Sequence, residues 1–179
     1  GLVETYEIFM DVSVPDILRK KLTRAGLQED QDYELRLTAS YPPREFVVQY
    51  KETDLAFVSR LGEHLGICFF FEHKQGKDVL VFSDHNSGFA PLVDGREVRF
   101  HKRGERRGVF ALESHTRMTP AEYVLKDYNY RTPQVALRAS SPTERGDGGH
   151  VLEYGAHFKS ADEGAQLARI RAEEISAGR

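Results

Sequence analysis

The stretch of sequence that decides the fold covers residues 49–85 and reads QYKETDLAFVSRLGEHLGICFFFEHKQGKDVLVFSDH. Thr53 is predicted to cap a helix, because its hydroxyl can accept from a free N–H of the first turn and Asp54 favours the positive helix end. Gly66 is predicted to end this helix. Its apolar face consists of Phe57, Val58, Leu61 and Leu65. We expect that face to pack on a sheet containing Phe46, Val48 and Phe70.

Two strands are predicted after this helix, Ile67–Glu72 and Val79–Phe82, joined by the turn at residues 74–77. The first of them is apolar on both sides, which predicts a central position in a sheet. Cys68, the one cysteine of the chain, lies in this apolar run and is predicted to be a buried, inert thiol.

Upstream, the pattern predicts a strand at Tyr6–Met10 and a helix that Ser13 caps and Gly26 ends. Arg19, Lys20 and Arg24 are placed on the solvent side of this helix. Alternating residues predict further strands at Tyr33–Ser40 and Phe46–Tyr50.

Downstream, the sequence reads as an antiparallel sheet or barrel followed by a helix that Ser160 caps. The predicted strands are Glu97–His101, Gly108–Met118, Ala121–Tyr130, Gln134–Ala139 and Val151–Tyr154. Residues 141–149, SPTERGDGG, have the composition of a mobile loop. The predicted fold class is α+β, a mixed or antiparallel sheet lobe with packed helices followed by an antiparallel β-barrel-like domain. The expected domains are residues 1–90, 91–159 and the helical 160–179, with a soft boundary near 84–95.

Composition limits the possible functions. The chain has 179 residues and a net charge of −3, so no global field attracts nucleic acid or acidic membranes. No apolar run approaches the roughly 20 residues that span a bilayer, and no stable membrane insertion is expected.

No pattern of metal ligands or catalytic residues stands out. The seven histidines show neither HExxH nor a short paired spacing, which predicts no metal site and no cofactor. Ser83, Asp84 and His85 are adjacent along the chain, whereas a hydrolytic triad is assembled in space, so a turn cap at Asp84 is favoured. Glu52 and Asp54 lie close together, but a helix start explains them without acid–base chemistry.

A basic patch at residues 101–107 is predicted to be a solvated hairpin tip. Contact with an acidic protein surface is the alternative reading. Its cationic side chains, the possible partner contacts, are Lys102, Arg103, Arg106 and Arg107.

Nine positions form a central motif: Gln49, Tyr50, Glu52, Asp54, Phe57, Arg60, Leu61, Gly66 and Ile67. Further motif segments lie upstream, at residues 14–17 and 41–45, and downstream, at residues 125–133 and in the C-terminal helix. With these motifs the chain resembles the VgrG family of type VI secretion spike-hub proteins, which is related to the baseplate hubs of contractile-tailed phages.

This resemblance implies a non-enzymatic hub fragment, in which residues 1–90 form a lobe beside a tube domain. It implies a homotrimer of the full-length parent that adapts a hexameric Hcp-type tube to the spike, with effector proteins as further partners. The implied location is the bacterial cytoplasm before assembly and the outside or the target cell after injection. Two alternatives remain open: a cell-wall hydrolase, which needs two suitably separated carboxylates, and a nucleic-acid-binding module using the basic patch.

Overall fold

The computed structural model describes residues 3–74, 76–90, 100 and 109–177. It divides into two compact units, Gly1–Pro91 and Leu92–Arg179. Three α-helices and eight strands are present among the described residues, so the chain is of the α+β class. None of the described helices combines the length and the apolar character needed to cross a membrane.

The first unit contains two small sheets and two helices. β1 (Glu4–Phe9) and β3 (Val47–Thr53) form an antiparallel two-stranded ribbon. The second sheet has the order β2–β5–β4, made of β2 (Tyr33–Arg36), β5 (Lys77–Ser83) and β4 (Cys68–Lys74). The helices are α1 (Val14–Arg24) and α2 (Asp54–His64).

Both helices of the first unit begin where the sequence predicts. The Ser13 hydroxyl accepts from the N–H of Asp16 at 3.3 Å, and the Thr53 hydroxyl accepts from the N–H of Ala56 at 3.1 Å. Gly66 follows α2 with φ +69°, a conformation that suits glycine. Local capping signals therefore determine the helix boundaries.

The predicted central position of the first hairpin strand is wrong. β4 pairs only with β5 among the described residues, whereas β5 has partners on both sides. Val81 on β5 is fully buried, while Phe69 and Phe71 on β4 are 39% and 58% exposed. The apolar residues on both sides of β4 suggested a central strand. However, β2 pairs in parallel with the free side of β5, so β5 becomes the central strand and β4 lies at the edge.

The Cys68 thiol is also exposed rather than buried, because it lies at the start of this edge strand. Its Sγ donates to the Ser83 carbonyl at 3.3 Å. β2 ends at Arg36, before the predicted Ser40, because the N–H groups of Thr38 and Ala39 donate to the Asp84 carboxylate and not to a neighbouring strand.

The core of the first unit lies between the helices and the inner faces of the two sheets. Phe57 and Phe9 stack there with ring centroids 5.7 Å apart. Its buried members are Phe9, Val14, Ile17, Leu18, Leu22, Tyr33, Val47, Phe57, Val58, Leu61, Ile67 and Phe82.

The second unit contains β6 (Glu122–Asp127), β7 (Leu137–Pro142), β8 (His150–Tyr154) and α3 (Ala161–Ala177). The sheet order is β7–β6–β8, with β6 antiparallel to β7 and parallel to β8. The prediction of a purely antiparallel sheet is therefore wrong, and the sheet formed by the described residues is open rather than a closed barrel. α3 packs against β7 and β6 through buried Leu167 and Ala168.

Two further predictions for the second unit need correction. Phe110–Met118 forms neither helix nor strand, although Val109 makes an isolated bridge to Phe100. Ser141 and Pro142 belong to β7 and not to the predicted loop. The remaining residues 143–149 are tied down by hydrogen bonds: the N–H of Thr119 donates to the Asp147 carboxylate at 2.8 Å, and the N–H of Asp147 donates back to the Thr119 carbonyl at 2.9 Å. Reciprocal bonding of this kind holds a loop whose composition alone indicates mobility.

Candidate functional site

The candidate site is built around a β-bulge in the ribbon. Tyr6 lies opposite Tyr50 and Thr5 lies opposite Glu52, which leaves Lys51 without a partner. Lys51 adopts φ +48°, a left-handed conformation that is uncommon outside glycine. A bulge shifts the alternation of side chains after it and redirects them.

Gln49 lies immediately before the bulge and is fully buried. Its Nε2 donates to the Glu52 carbonyl and to the Asp54 Oδ1, both at 3.0 Å. The side chain therefore bridges the end of β3 and the first residue of α2. A buried amide with these partners fixes the angle at which the helix leaves the strand.

Lys21 completes a buried ion cluster beneath the ribbon. Its residue is only 5% exposed, and its Nζ lies 2.7 Å from Glu7 Oε2 and 2.8 Å from Asp54 Oδ1. The same ammonium lies 5.7 Å from the ring centroids of both Phe9 and Phe57. We call Lys21, Glu7, Asp54 and Gln49 the Lys21 cluster; it joins α1, β1, β3 and α2.

Both carboxylates of the Lys21 cluster are stabilised in their ionised form. Hydrogen bonds from Lys21, and then from Gln49, lower the pKa of Asp54. Burial favours a higher pKa for Glu7, but hydrogen bonds from Lys21 and Arg24 outweigh it and lower that pKa. Neither group is suited to donate a proton near neutral pH, so the cluster has the properties of a structural clamp.

A second ion pair fixes the other side of α2. The Arg60 guanidinium contacts the Glu52 carboxylate with both ends, at 2.7 Å and 3.2 Å, and donates to the Val48 carbonyl at 3.0 Å. Its carbon centre also lies 5.4 Å from the Phe57 ring centroid. Arg60 lowers the pKa of Glu52 through these hydrogen bonds. Glu52 and Asp54 thus have separate cationic partners.

The structure brings most motif positions to this region but not all of them. Phe57, Leu61 and Ile67 are buried in the core beside it. Tyr50 points to the opposite face of the ribbon and is 64% exposed. Phe46 is also exposed, and Phe70 stacks on Phe89, which corrects the predicted packing of α2 against Phe46, Val48 and Phe70.

The strand faces inward one residue out of phase with that prediction. Val47 and Gln49 are the buried positions of β3, and Phe57 packs on Phe9. The sequence suggested that the apolar side chains of Phe46 and Val48 face the interior. The amide of Gln49 is buried instead, because Asp54 and the Glu52 carbonyl accept its protons.

Sequence reasoning also missed Lys21 and Glu7. One signal for Lys21 was available: it lies three residues after Leu18 and four after Ile17, on the apolar face of α1. The side chains of Ile17 and Leu18 are both fully buried. A lysine in that position predicts a partner carboxylate in the core.

A second cluster, also missed, lies on the other face of the three-stranded sheet. Arg36 contacts both oxygens of Glu72 at 2.7 Å and 2.8 Å, and it also pairs with Glu34 at 2.6 Å. Lys74 contacts Glu72 at 2.7 Å. Hydrogen bonds from Arg36 and Lys74 lower the pKa of Glu72 to about 2.

Arg36 also anchors the segment that follows β5. It donates to the Gly88 carbonyl at 2.6 Å, and the rings of Phe89 and Phe70 stack 4.7 Å apart. A Cβ at Gly88 would lie 2.0 Å from the Ser83 hydroxyl, so only glycine fits against this buried residue. The turn at Asn86–Gly88 is therefore held tightly over the sheet.

Ser83, Asp84 and His85 do not form a triad. The Ser83 hydroxyl donates to the His85 carbonyl at 2.8 Å, and the His85 ring contacts the Ser87 hydroxyl at 3.0 Å. The Asp84 carboxylate instead accepts from the N–H groups of Thr38 and Ala39 and from the Tyr41 hydroxyl. Asp84 therefore does cap backbone N–H groups, but those of the distant loop at Thr38 and Ala39 rather than those of its own turn as predicted.

Among the described residues, no group of three or more His, Cys, Asp or Glu side chains is arranged to hold a metal ion. The possible partner contacts Lys102, Arg103, Arg106 and Arg107 lie outside the described residues. The site therefore consists of two ion clusters and a capping carboxylate, each of which joins separate elements of the first unit.

Comparison with known proteins decides the family. The phage tail baseplate hub (GPD) family matches residues 1–179. The chain belongs to this family. The spike protein VgrG1a of the Pseudomonas aeruginosa type VI secretion system is 32% identical over 179 residues, which is 95% of this chain and 27% of VgrG1a.

A second relative is the actin cross-linking toxin VgrG1 of Vibrio cholerae, 32% identical over 132 residues, covering 73% of this chain and 12% of the toxin. The 43 kDa tail protein of prophage MuSo2 from Shewanella oneidensis has a similar fold, with a TM-score of 0.51 and 14% identity over 96% of this chain and 48% of that one. The chain thus spans about a quarter of the length of VgrG1a.

Proposed function

We propose that this chain is a structural hub module of a type VI secretion spike, and that it has no catalytic activity of its own. The observation that carries the proposal is the match of the baseplate hub family over residues 1–179. The relatives with similar coverage include three spike proteins of one bacterium, VgrG1a, VgrG1b and VgrG1c. The module adapts an Hcp-type tube to the spike in a homotrimeric full-length parent, and effector proteins are further partners.

The geometry of the first unit supports a role in rigidity. The motif residues Glu52 and Asp54 form ion pairs with Arg60 and Lys21, each linking different elements. Clusters that hold helices and strands at fixed angles suit a part that transmits load between neighbours. The motif residues thus act by keeping the lobe in one shape.

The domain assignment is part of this proposal. Residues 1–90 form the lobe of the hub, residues 91–159 contribute to a β-rich tube domain, and residues 160–179 lead to the next domain. A barrel, in this proposal, is completed only in the larger parent, since closure removes the free edges of an open sheet. The protein resides in the bacterial cytoplasm before assembly and leaves the cell with the spike.

Mass measurement of the full-length parent, alone and with its tube protein, tests the proposal. We expect a trimer that binds the hexameric tube. A strict monomer that ignores the tube protein would contradict the hub function. Turnover of peptidoglycan by the purified domain, abolished by changing one carboxylate, would instead support the hydrolase alternative.

A further inference from the structure

The second unit places two parallel strands side by side at the points where the chain enters and leaves their sheet. β6 and β8 pair from Glu122↔His150 to Lys126↔Tyr154. The chain reaches this sheet at the start of β6 and leaves it at the end of β8. A pull on the chain from both sides therefore draws the two strands past each other along their common direction.

Two parallel strands that are pulled in this way are loaded in shear. Their ladder hydrogen bonds lie across the pull, so the bonds share the load and must break nearly together. Strands that are pulled apart at one end instead lose these bonds one after another. Because forced unfolding is governed by the rate of unfolding, a geometry that requires simultaneous rupture resists a larger force.

Further hydrogen bonds lengthen the contact between β6 and β8. The N–H of Gly155, just beyond β8, donates to the Lys126 carbonyl at 2.9 Å. The N–H of Ala121, just before β6, donates to the Gly149 carbonyl at 3.0 Å. The bonded contact therefore extends past both ends of the paired residues.

The connection between β7 and β8 ties down the start of β6. Because β7 and β8 lie on either side of β6, residues 143–149, which we call the strap, cross the chain at the start of that strand. The N–H of Thr143 donates to the Ala121 carbonyl at 3.0 Å, and the N–H of Asp147 donates to the Thr119 carbonyl at 2.9 Å. The N–H of Thr119 donates back to the Asp147 carboxylate at 2.8 Å. The strap thus holds the residues that immediately precede β6.

Close packing of the backbone adds to these bonds. A Cβ at Gly146 would lie 2.2 Å from the Ala121 Cα and 2.6 Å from the Pro120 carbonyl oxygen, so the strap lies directly against these two residues. The N–H of Glu144 donates to the Ser176 hydroxyl at 3.0 Å, which attaches the strap to α3 as well. A pull on the chain before β6 therefore meets the strap first.

We propose that the parallel β6–β8 pair and the strap together form a shear clamp, a part of the fold that resists extension of the chain. The shear clamp is loaded when the chain is pulled on both sides of this sheet. A pull from beyond α3 reaches β8 once that helix has left the sheet. The inference does not rest on the proposed hub function, because it follows from the strand order and the hydrogen bonds of the second unit.

Pulling on single molecules of the full chain through two chosen residues tests the shear clamp. Cys68 is replaced by serine, so that the introduced cysteines are the attachment points. Met118→Cys with Tyr154→Cys pulls β6 and β8 in opposite directions along their ladder. Met118→Cys with His150→Cys is the matched control, because His150 pairs with Glu122 at the start of β6 and the strands separate from that end.

The two geometries differ only in the direction of the pull across the same ladder. The three anchor residues are exposed, so their substitution leaves the packing intact, and α3 lies outside the pulled stretch in both cases. At the same loading rate, we expect a severalfold higher rupture force between residues 118 and 154 than between residues 118 and 150. Rupture between 118 and 154 adds at most about 130 Å of extended chain, at roughly 3.6 Å per residue, which identifies the event.

A pair of variants tests the contribution of the strap. Asp147→Ala removes the acceptor of the Thr119 N–H, and we expect it to lower the rupture force between residues 118 and 154. Asp147→Asn keeps an acceptor oxygen in a side chain of the same shape and should retain most of that force. An unchanged force in Asp147→Ala would overturn the assignment of the strap to the shear clamp.

The comparison of the two geometries decides the inference. A higher force between residues 118 and 154, reduced by Asp147→Ala, supports a shear clamp that includes the strap. Equal forces in the two geometries, or a lower force between residues 118 and 154, would overturn it. None of these results bears on the hub function, which the mass of the full-length parent and its binding to the tube protein test separately.

Discussion

At the scale of single residues, the molecule relies on charges that lie inside or beside its core. Lys21 is the clearest case, because two carboxylates and two aromatic rings surround its ammonium. An ion pair of this kind contributes little as a pair, but losing one partner leaves the remaining charges uncompensated. The predictions at this scale follow from that asymmetry.

Replacing Lys21 by methionine is expected to lower the free energy of unfolding by about 2 kcal/mol. Glu7 and Asp54 then face each other without the ammonium, although their partial exposure limits the cost. Urea denaturation of the variant measures the change. Lys20→Met, at the neighbouring exposed position, is the control, and equal losses in the two variants would argue against the cluster.

Acid is expected to destabilise the first unit through Glu72. Its pKa is lowered from 4.5 to about 2 in the folded protein, so the folded state keeps the charge that the unfolded chain loses. The stabilisation is therefore complete above pH 4.5 and is lost as the pH falls towards 2. Thermal midpoints measured across this range should fall less steeply in Glu72→Gln than in the wild type.

At the scale of secondary-structure elements, the site depends on how α2 is attached to the ribbon. Thr53 caps the helix, the bulge at Lys51 redirects the strand before it, and Phe57 fills the space beneath. The helix, the strand and the bulge form one continuous stretch of chain. Two predictions concern this attachment.

Phe57→Ala is expected to cost about 3–5 kcal/mol of stability, because it removes a fully buried ring and leaves a cavity beside Phe9. Calorimetry of the variant provides the measurement. Leu55→Ala lies on the same helix at a residue 58% exposed and should change the midpoint little. An unchanged midpoint in Phe57→Ala would refute the packing.

Two substitutions at Lys51 are expected to distinguish the contribution of its backbone conformation from the contribution of its side chain. Lys51→Val is expected to cost about 1–3 kcal/mol, because a β-branched residue strains at φ +48°. Lys51→Gly should be tolerated, because glycine adopts this conformation freely. Chemical denaturation compares the two. Equal destabilisation would show that the lysine side chain, rather than the backbone, matters here.

At the scale of the whole chain, the first unit contains its own hydrophobic core. Every buried residue of that core lies between Phe9 and Phe82. A unit with an internal core is expected to fold by itself. Residues 1–91 expressed alone are therefore expected to unfold in one cooperative transition with dispersed amide resonances. Poorly dispersed amide resonances and the absence of a cooperative transition for residues 1–91 would contradict this prediction.

The local part of the fold could be predicted from the sequence. Ser13 and Thr53 mark the helix starts, the turn near Gly76 marks the hairpin, and the motif around Gln49 marks the family. Capping and turn signals act over three or four residues, because the residues in caps and turns have their own conformational and hydrogen-bonding preferences. The sequence therefore determined where the helices begin and which family this chain belongs to.

The long-range pairing was decided only by the tertiary structure. The sequence did not reveal that β2 pairs with β5 and leaves β4 at an edge, or that β8 runs parallel to β6. It also did not reveal that Lys21 finds Glu7 and Asp54, or that Gln49 rather than Val48 faces the core. Burying a polar side chain is favourable only where distant partners meet it, and those partners are assembled by the fold.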